Sequence, residues 1–170
     1  MAFEVVITLP WQALNLAADA AKDRMNSGAN KALNHATVRS RNWLTRYKDE
    51  LMGALGELAV AQWFDMPNFK PPLGTFHSIP DCNGVEVRST DIETGRLIVR
   101  DNDPSDRAYV LCLVRGPDVV LAGWMVGRDA KHNQWMSNPH GYRPCWMVPR
   151  AALSPMHELR YGAMSIGETA

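Results

Sequence analysis

Midway along the chain the rhythm of the apolar residues changes, and that change limits the fold more than any other feature. Before residue 64, Leu51, Leu55, Leu58 and Ala59 recur at helical spacing and predict a helix over about 49–64. From Val85 onward the pattern alternates and predicts strands at 85–88, 96–100, 109–114, 119–126 and 145–148. Upstream, residues 3–8 suit a short edge strand. Pro10 opens a helix that runs to about Met25, where Asn26-Ser27-Gly28 breaks it. A second helix is expected from near Thr37, capped by Thr37 or Asn34. Downstream, a short helix is expected over Gly127 to Trp135, and Pro149 opens a last one through Leu159, bent at Pro155. Helices, then strands, then helices describe an α/β chain of the α+β kind, with a central mixed sheet and helices on its faces.

The 170 residues fit one domain, and 46% hydrophobic content is too much for disorder. The 18 basic and 18 acidic residues cancel, which excludes a globally basic nucleic-acid coat. No apolar run is long enough to span a bilayer, and the start lacks the basic and apolar regions of a secretory signal. Cys82, Cys112 and Cys145 are odd in number and widely spaced, so a reducing cytoplasm is expected rather than a disulfide framework. Charge is unevenly placed. Seven basic residues face one acidic residue from Lys22 to Lys48, whereas eight acids outnumber five bases from Asp81 to Asp118. A basic stretch followed by a carboxylate-rich one suits a phosphate ligand and a cation centre, and a solvated helix face accounts for it equally well.

One segment concentrates the chemistry: Pro80-Asp81-Cys82-Asn83-Gly84-Val85-Glu86-Val87-Arg88. On a strand, Glu86 and Arg88 share a face while Val85 and Val87 take the other. Asn83-Gly84 is a turn signal, so Asp81 folds back beside Glu86. Two carboxylates about 4 Å apart repel by about 4 kcal/mol at an effective dielectric near 20, and a hard divalent cation offsets that.

Pro80-Asp81 followed by Glu86-Val87-Arg88, with Glu57 in Gly53-Ala54-Leu55-Gly56-Glu57 on the preceding helix, resembles the PD-(D/E)xK nuclease superfamily. The chain is similar in particular to its small phage and prophage members. The resemblance covers roughly residues 49–148 and implies a restriction-endonuclease-like αβββαβ core at 49–160. Residues 1–48 are then an N-terminal helical basic extension packed on it, and 161–170 a mobile tail. It implies that Asp81, Glu86 and the carbonyl of Val87 hold Mg²⁺ or Mn²⁺, with Glu57 completing the site, in a protein of a bacterial or phage-infected cell. Arg88 stands where the family usually has lysine. Arginine cannot act as a general base, but it can orient water or stabilise charge on phosphorus.

Two functions follow. The first is metal-dependent hydrolysis of DNA, with RNA left open, by a cytoplasmic protein that pairs as a homodimer to cut two strands. Arg39, Arg41, Arg46 and Lys48 would hold the backbone, and Trp43 would stack on a base. The second is a nuclease fold without chemistry, binding nucleic acid or protein, for example as a phage inhibitor of host defence. Weaker candidates are zinc at His132, His140 and Cys145, substrate contacts from Ser89 and Thr90, and a water-orienting Gln134. The ordinary roles of Glu57, Asp81, Glu86 and Arg88 are helix-surface acid, turn acid and edge-strand ion pair. Their coincidence favours a site.

Overall fold

The computed structural model describes residues 4–27, 42–73, 79–138 and 144–159. In order these form β1 (Val5–Thr8), α1 (Trp11–Ser27), α2 (Trp43–Trp63), β2 (Val85–Thr90), β3 (Leu97–Arg100), β4 (Ala108–Arg115) and β5 (Asp118–Val126). The short α3 (Gly127–Ala130), a 3-10 turn at Asn133–Trp135, β6 (Met136–Ser137), β7 (Cys145–Val148) and a 3-10 turn at Arg150–Ala152 follow.

The protein is a mixed α+β structure. Its larger sheet has the order β1-β5-β4-β2, parallel between β2 and β4 and antiparallel elsewhere. β4 is central, as its apolar run predicts, and residues 5–8 do form an edge strand. The expectation of one sheet is corrected: β3, β7 and β6 make a second, antiparallel sheet. The reason lies in burial. Leu97, Val99 and Val148 cover Tyr109, Leu111 and Leu113 on one face of the larger sheet. On the other face Val85, Val87, Val110 and Cys112 meet Ala54, Leu55 and Leu58 of α2 and Ala17 and Ala20 of α1. Three layers result: helices, mixed sheet, small sheet. Each fully buried Val or Leu stabilises this packing by roughly 1.5–3 kcal/mol.

The helix expected at 49–64 starts six residues earlier, at Trp43, and so runs across the expected 48/49 boundary. Asn42 caps it, its Oδ1 accepting from the Thr45 backbone N–H at 2.9 Å and from the Thr45 hydroxyl at 3.0 Å. The caps proposed at Asn34 and Thr37 lie outside the described residues. Gly56 lets α2 lie against the sheet: a Cβ there would be 2.1 Å from Ser89 Oγ and 3.2 Å from Val87 Cγ1.

The helix expected over Gly127 to Trp135 is split at Lys131, with a 3-10 turn after it. The helix expected to bend at Pro155 is interrupted there, because Ser154 exchanges backbone hydrogen bonds of 3.0 and 2.9 Å with Trp124. That approach needs Gly123, at φ 139°, where a Cβ would lie 2.7 Å from the Ser154 carbonyl. Among the described residues no helix is long and apolar enough to cross a membrane. The three cysteines are free thiols, all buried.

Candidate active site at the head of an edge strand

β2 is an outer strand, and a tight turn leads into it. Cys82 and Val85 exchange backbone hydrogen bonds of 3.1 and 2.8 Å around Asn83 and Gly84, whose φ angles are 45° and 79°. Two consecutive positive φ values define the hairpin geometry that Asn-Gly favours. The turn folds Asp81 back along β2, where its Oδ2 accepts the Val87 N–H at 2.8 Å. That N–H points away from β4, so Asp81 caps the open edge of the sheet.

Glu86 and Arg88 point together from the face opposite α2. Arg88 Nη1 is 3.8 Å from Asp81 Oδ2, 3.6 Å from Glu86 Oε2 and 3.3 Å from the Val87 carbonyl, to which it donates. The three oxygens that the superfamily resemblance nominates as metal ligands thus converge on one cationic nitrogen. Arg88 Nη2 donates to Asp103 Oδ2 at 3.0 Å, and its guanidinium lies 5.2 Å from the centre of the Tyr109 ring. Arg107 Nη1 donates to Glu86 Oε1 at 2.5 Å.

Asp103 is fixed in turn. It accepts from the Arg100 N–H at 2.9 Å, and Lys131 Nζ donates to the Asp101 and Asp103 carbonyls at 2.9 and 2.6 Å. Burial pushes the Glu86 carboxyl up from its ordinary value and Asp81 adds to this, while Arg107 and Arg88 oppose it. Burial acts to lower Arg88, but Asp103, Asp81 and Glu86 together outweigh it and hold the guanidinium charged.

Glu57 does not join this cluster. It is buried on the helix side of the sheet, paired with Arg24 Nη2 at 2.7 Å. Arg24 Nε donates to the Pro72 carbonyl at 2.8 Å, and its Nη1 is 4.0 Å from Glu50. Desolvation raises the Glu57 pKa to about 7 despite Arg24, with Asp81 contributing through its field. The same burial, reinforced by Glu57 and Asp81, lifts the Cys82 thiol to about 12, which disfavours the thiolate.

Arg39, Arg41 and His140 lie outside the described residues. Lys48 is paired with Asp91 at 2.5 Å, and Trp43 stacks on Tyr47 with ring centres 5.5 Å apart. Arg46 sits in the first turn of α2 beside them. Ser89 Oγ is buried against α2, Cys145 is buried, and His132 Nδ1 accepts from the Gln134 N–H at 3.4 Å.

Sequence does not single out Arg107 or Arg24, and the ligand-rich run Arg100-Asp101-Asn102-Asp103 reads only as a polar turn. For Arg24 a signal existed: it extends the Ala17, Ala20, Ala21 stripe at helical spacing, so a cation falls on the buried face. Asp103 and Arg107 reach the site only through tertiary packing, which no local pattern reveals.

The donors fit a hard cation in type, being two carboxylates and a carbonyl. No group of three or more His, Cys, Asp or Glu side chains placed to bind a metal occurs among the described residues. Comparison with protein-family profiles, curated proteins and solved structures returned no match.

Proposed function

We propose that this chain is a metal-dependent nuclease that hydrolyses DNA phosphodiesters at the head of β2, within a restriction-endonuclease-like core. The observation that carries the reading is the convergence of Asp81, Glu86 and the Val87 carbonyl on a single cation position, held here by Arg88 Nη1. Asp81, Glu86 and Val87 would hold Mg²⁺ or Mn²⁺, which acidifies a bound water and polarises a phosphoryl oxygen.

The chain's own groups do the rest. The Val87 N–H orients Asp81, Arg107 orients Glu86, and Arg88, anchored by Asp103, would direct its positive charge toward the anionic phosphate. A guanidinium there stabilises charge but does not take a proton, so the attacking water would give its proton to bulk solvent. The enzyme acts as a homodimer, one copy per strand, in the cytoplasm of a bacterial or phage-infected cell.

Cleavage of plasmid and oligonucleotide DNA with Mg²⁺ or Mn²⁺ tests this. Asp81→Asn and Glu86→Gln should each lower the rate by at least about 100-fold, and chelation should abolish it. Wild-type activity in either variant overturns the assignment.

A second reading is favoured by the same nitrogen. Arg88 Nη1 already balances the acids, so a non-catalytic fold that binds nucleic acid or protein needs no metal. DNA binding without cleavage under either ion supports it.

A further inference from the structure

A cleft of about 370 Å³ opens between the C-terminal half of β2 and strand β3, and Arg88 forms one wall of it. Along β3 and the residue before it the pattern alternates: Leu97 and Val99 are buried, while Arg96, Ile98 and Arg100 are exposed and line the cleft. At about 3.3 Å per residue of extended chain, Arg96, just ahead of β3, and Arg100 at its end stand about 13 Å apart. Neither side chain makes an ion pair among the described residues.

The acids at the rim are committed elsewhere. Asp91 pairs with Lys48, and Glu93 with Arg115 at 2.5 Å and Arg150 at 3.7 Å. Three arginines and no acid therefore line the cleft, with Ile92 and Ile98, 61% and 36% exposed, set between the charges. Cations in a row with apolar surface between them match a polyanion whose phosphates alternate with sugar and base faces. A lone anion would instead be surrounded by its cations.

We infer that this cleft is the track for one nucleic-acid strand, with Arg96 and Arg100 gripping the phosphates that lead toward Arg88. The inference deepens the nuclease reading and rests on it for the direction of the track. It moves the principal backbone contact from the region before residue 49 to β3.

The test is binding of a fluorescent single-stranded oligonucleotide by the full chain with metal chelated, followed by anisotropy across a salt series. The Arg96→Ala/Arg100→Ala double variant should bind at least about tenfold more weakly. Its slope of log affinity against log salt should be shallower by about 1.4, the value for two lost phosphate contacts on a single strand. Arg96→Lys/Arg100→Lys should keep most of the affinity, and an unchanged melting curve shows that the fold is intact. Wild-type affinity in the double alanine variant overturns the track. So does displacement of the oligonucleotide by inorganic phosphate beyond its effect on ionic strength, which assigns the cleft to a small anion. If the double variant loses binding and the wild type never cleaves DNA with Mg²⁺ or Mn²⁺, the track stands and the nuclease reading falls.

Discussion

β2 separates two clusters of charge that solve the same problem differently. Under the helices, Glu57 and Arg24 form a buried pair, both side chains 8% exposed, with Pro72 and Glu50 as additional partners of Arg24. On the opposite face, Asp81, Glu86 and Asp103 gather around Arg88, and Arg107 pairs with Glu86 as well, so the removal of either guanidinium leaves Glu86 with the other. The first arrangement ties α1 to α2 and has little redundancy. The second is redundant at Glu86 and borders an open cleft, which suits a site whose cation must be able to leave.

The largest expected effect sets these clusters apart. Arg24→Ala strands a buried carboxylate and should cost about 3–5 kcal/mol in denaturant unfolding. Arg107→Met should cost less than half of that, because Arg88 remains beside Glu86. A comparable loss for both substitutions would erase the distinction. Arg88→Met removes the nitrogen at the centre of the oxygen cage, so Mn²⁺ affinity measured by calorimetry should rise about tenfold or more. If no Mn²⁺ binds to either protein, the cage is an ion-pair cluster only.

pH offers a further contrast. Glu57 titrates near 7 in the folded chain, above its ordinary 4.5, so the folded state holds more protons than the unfolded state between those values. Stability attributable to Glu57 is therefore greatest below about 4.5 and declines as pH rises to about 7, a change on the order of 3 kcal/mol. Glu57→Gln stands in for the protonated carboxyl, so it should flatten that slope and leave the chain at least as stable as wild type at pH 8. A slope unchanged by the substitution would assign it to other groups.

Gly56→Ala should cost about 1–3 kcal/mol by pushing against Ser89 and Val87, and Ser89→Gly in that background should return part of the loss. A neutral Gly56→Ala would mean that α2 does not sit against β2 as closely as described. The smallest effect belongs to Lys48→Ala at the exposed Asp91 pair, which should leave the melting temperature unchanged.

Much of this was legible in sequence because it is local. The Asn83-Gly84 turn, the fold-back of Asp81 and the shared face of Glu86 and Arg88 all follow from spacing within eight residues. The start of α2 was missed because its first turn carries no buried stripe: Trp43 and Leu44 are each 66% exposed, and Asn42 alone marks the beginning. The second sheet was missed because β3 pairs with β7, some 50 residues away, and alternation names a strand but not its partner. Glu57 was expected beside Asp81 and Glu86. Periodicity shows that α2 has an apolar side, but not which face of β2 it covers, and Gly56 against Val87 and Ser89 puts Glu57 on the far side from Glu86.

The Asp81 carboxylate does two jobs at once, as a nominated ligand and as the cap on the Val87 N–H at the sheet's rim. An uncapped rim invites a foreign strand to add itself to β2, and a negative charge discourages it. Loss of that charge is thus also a loss of solubility: an inactive Asp81→Ala preparation would self-associate in proportion to its concentration, and its missing activity would have two causes to separate.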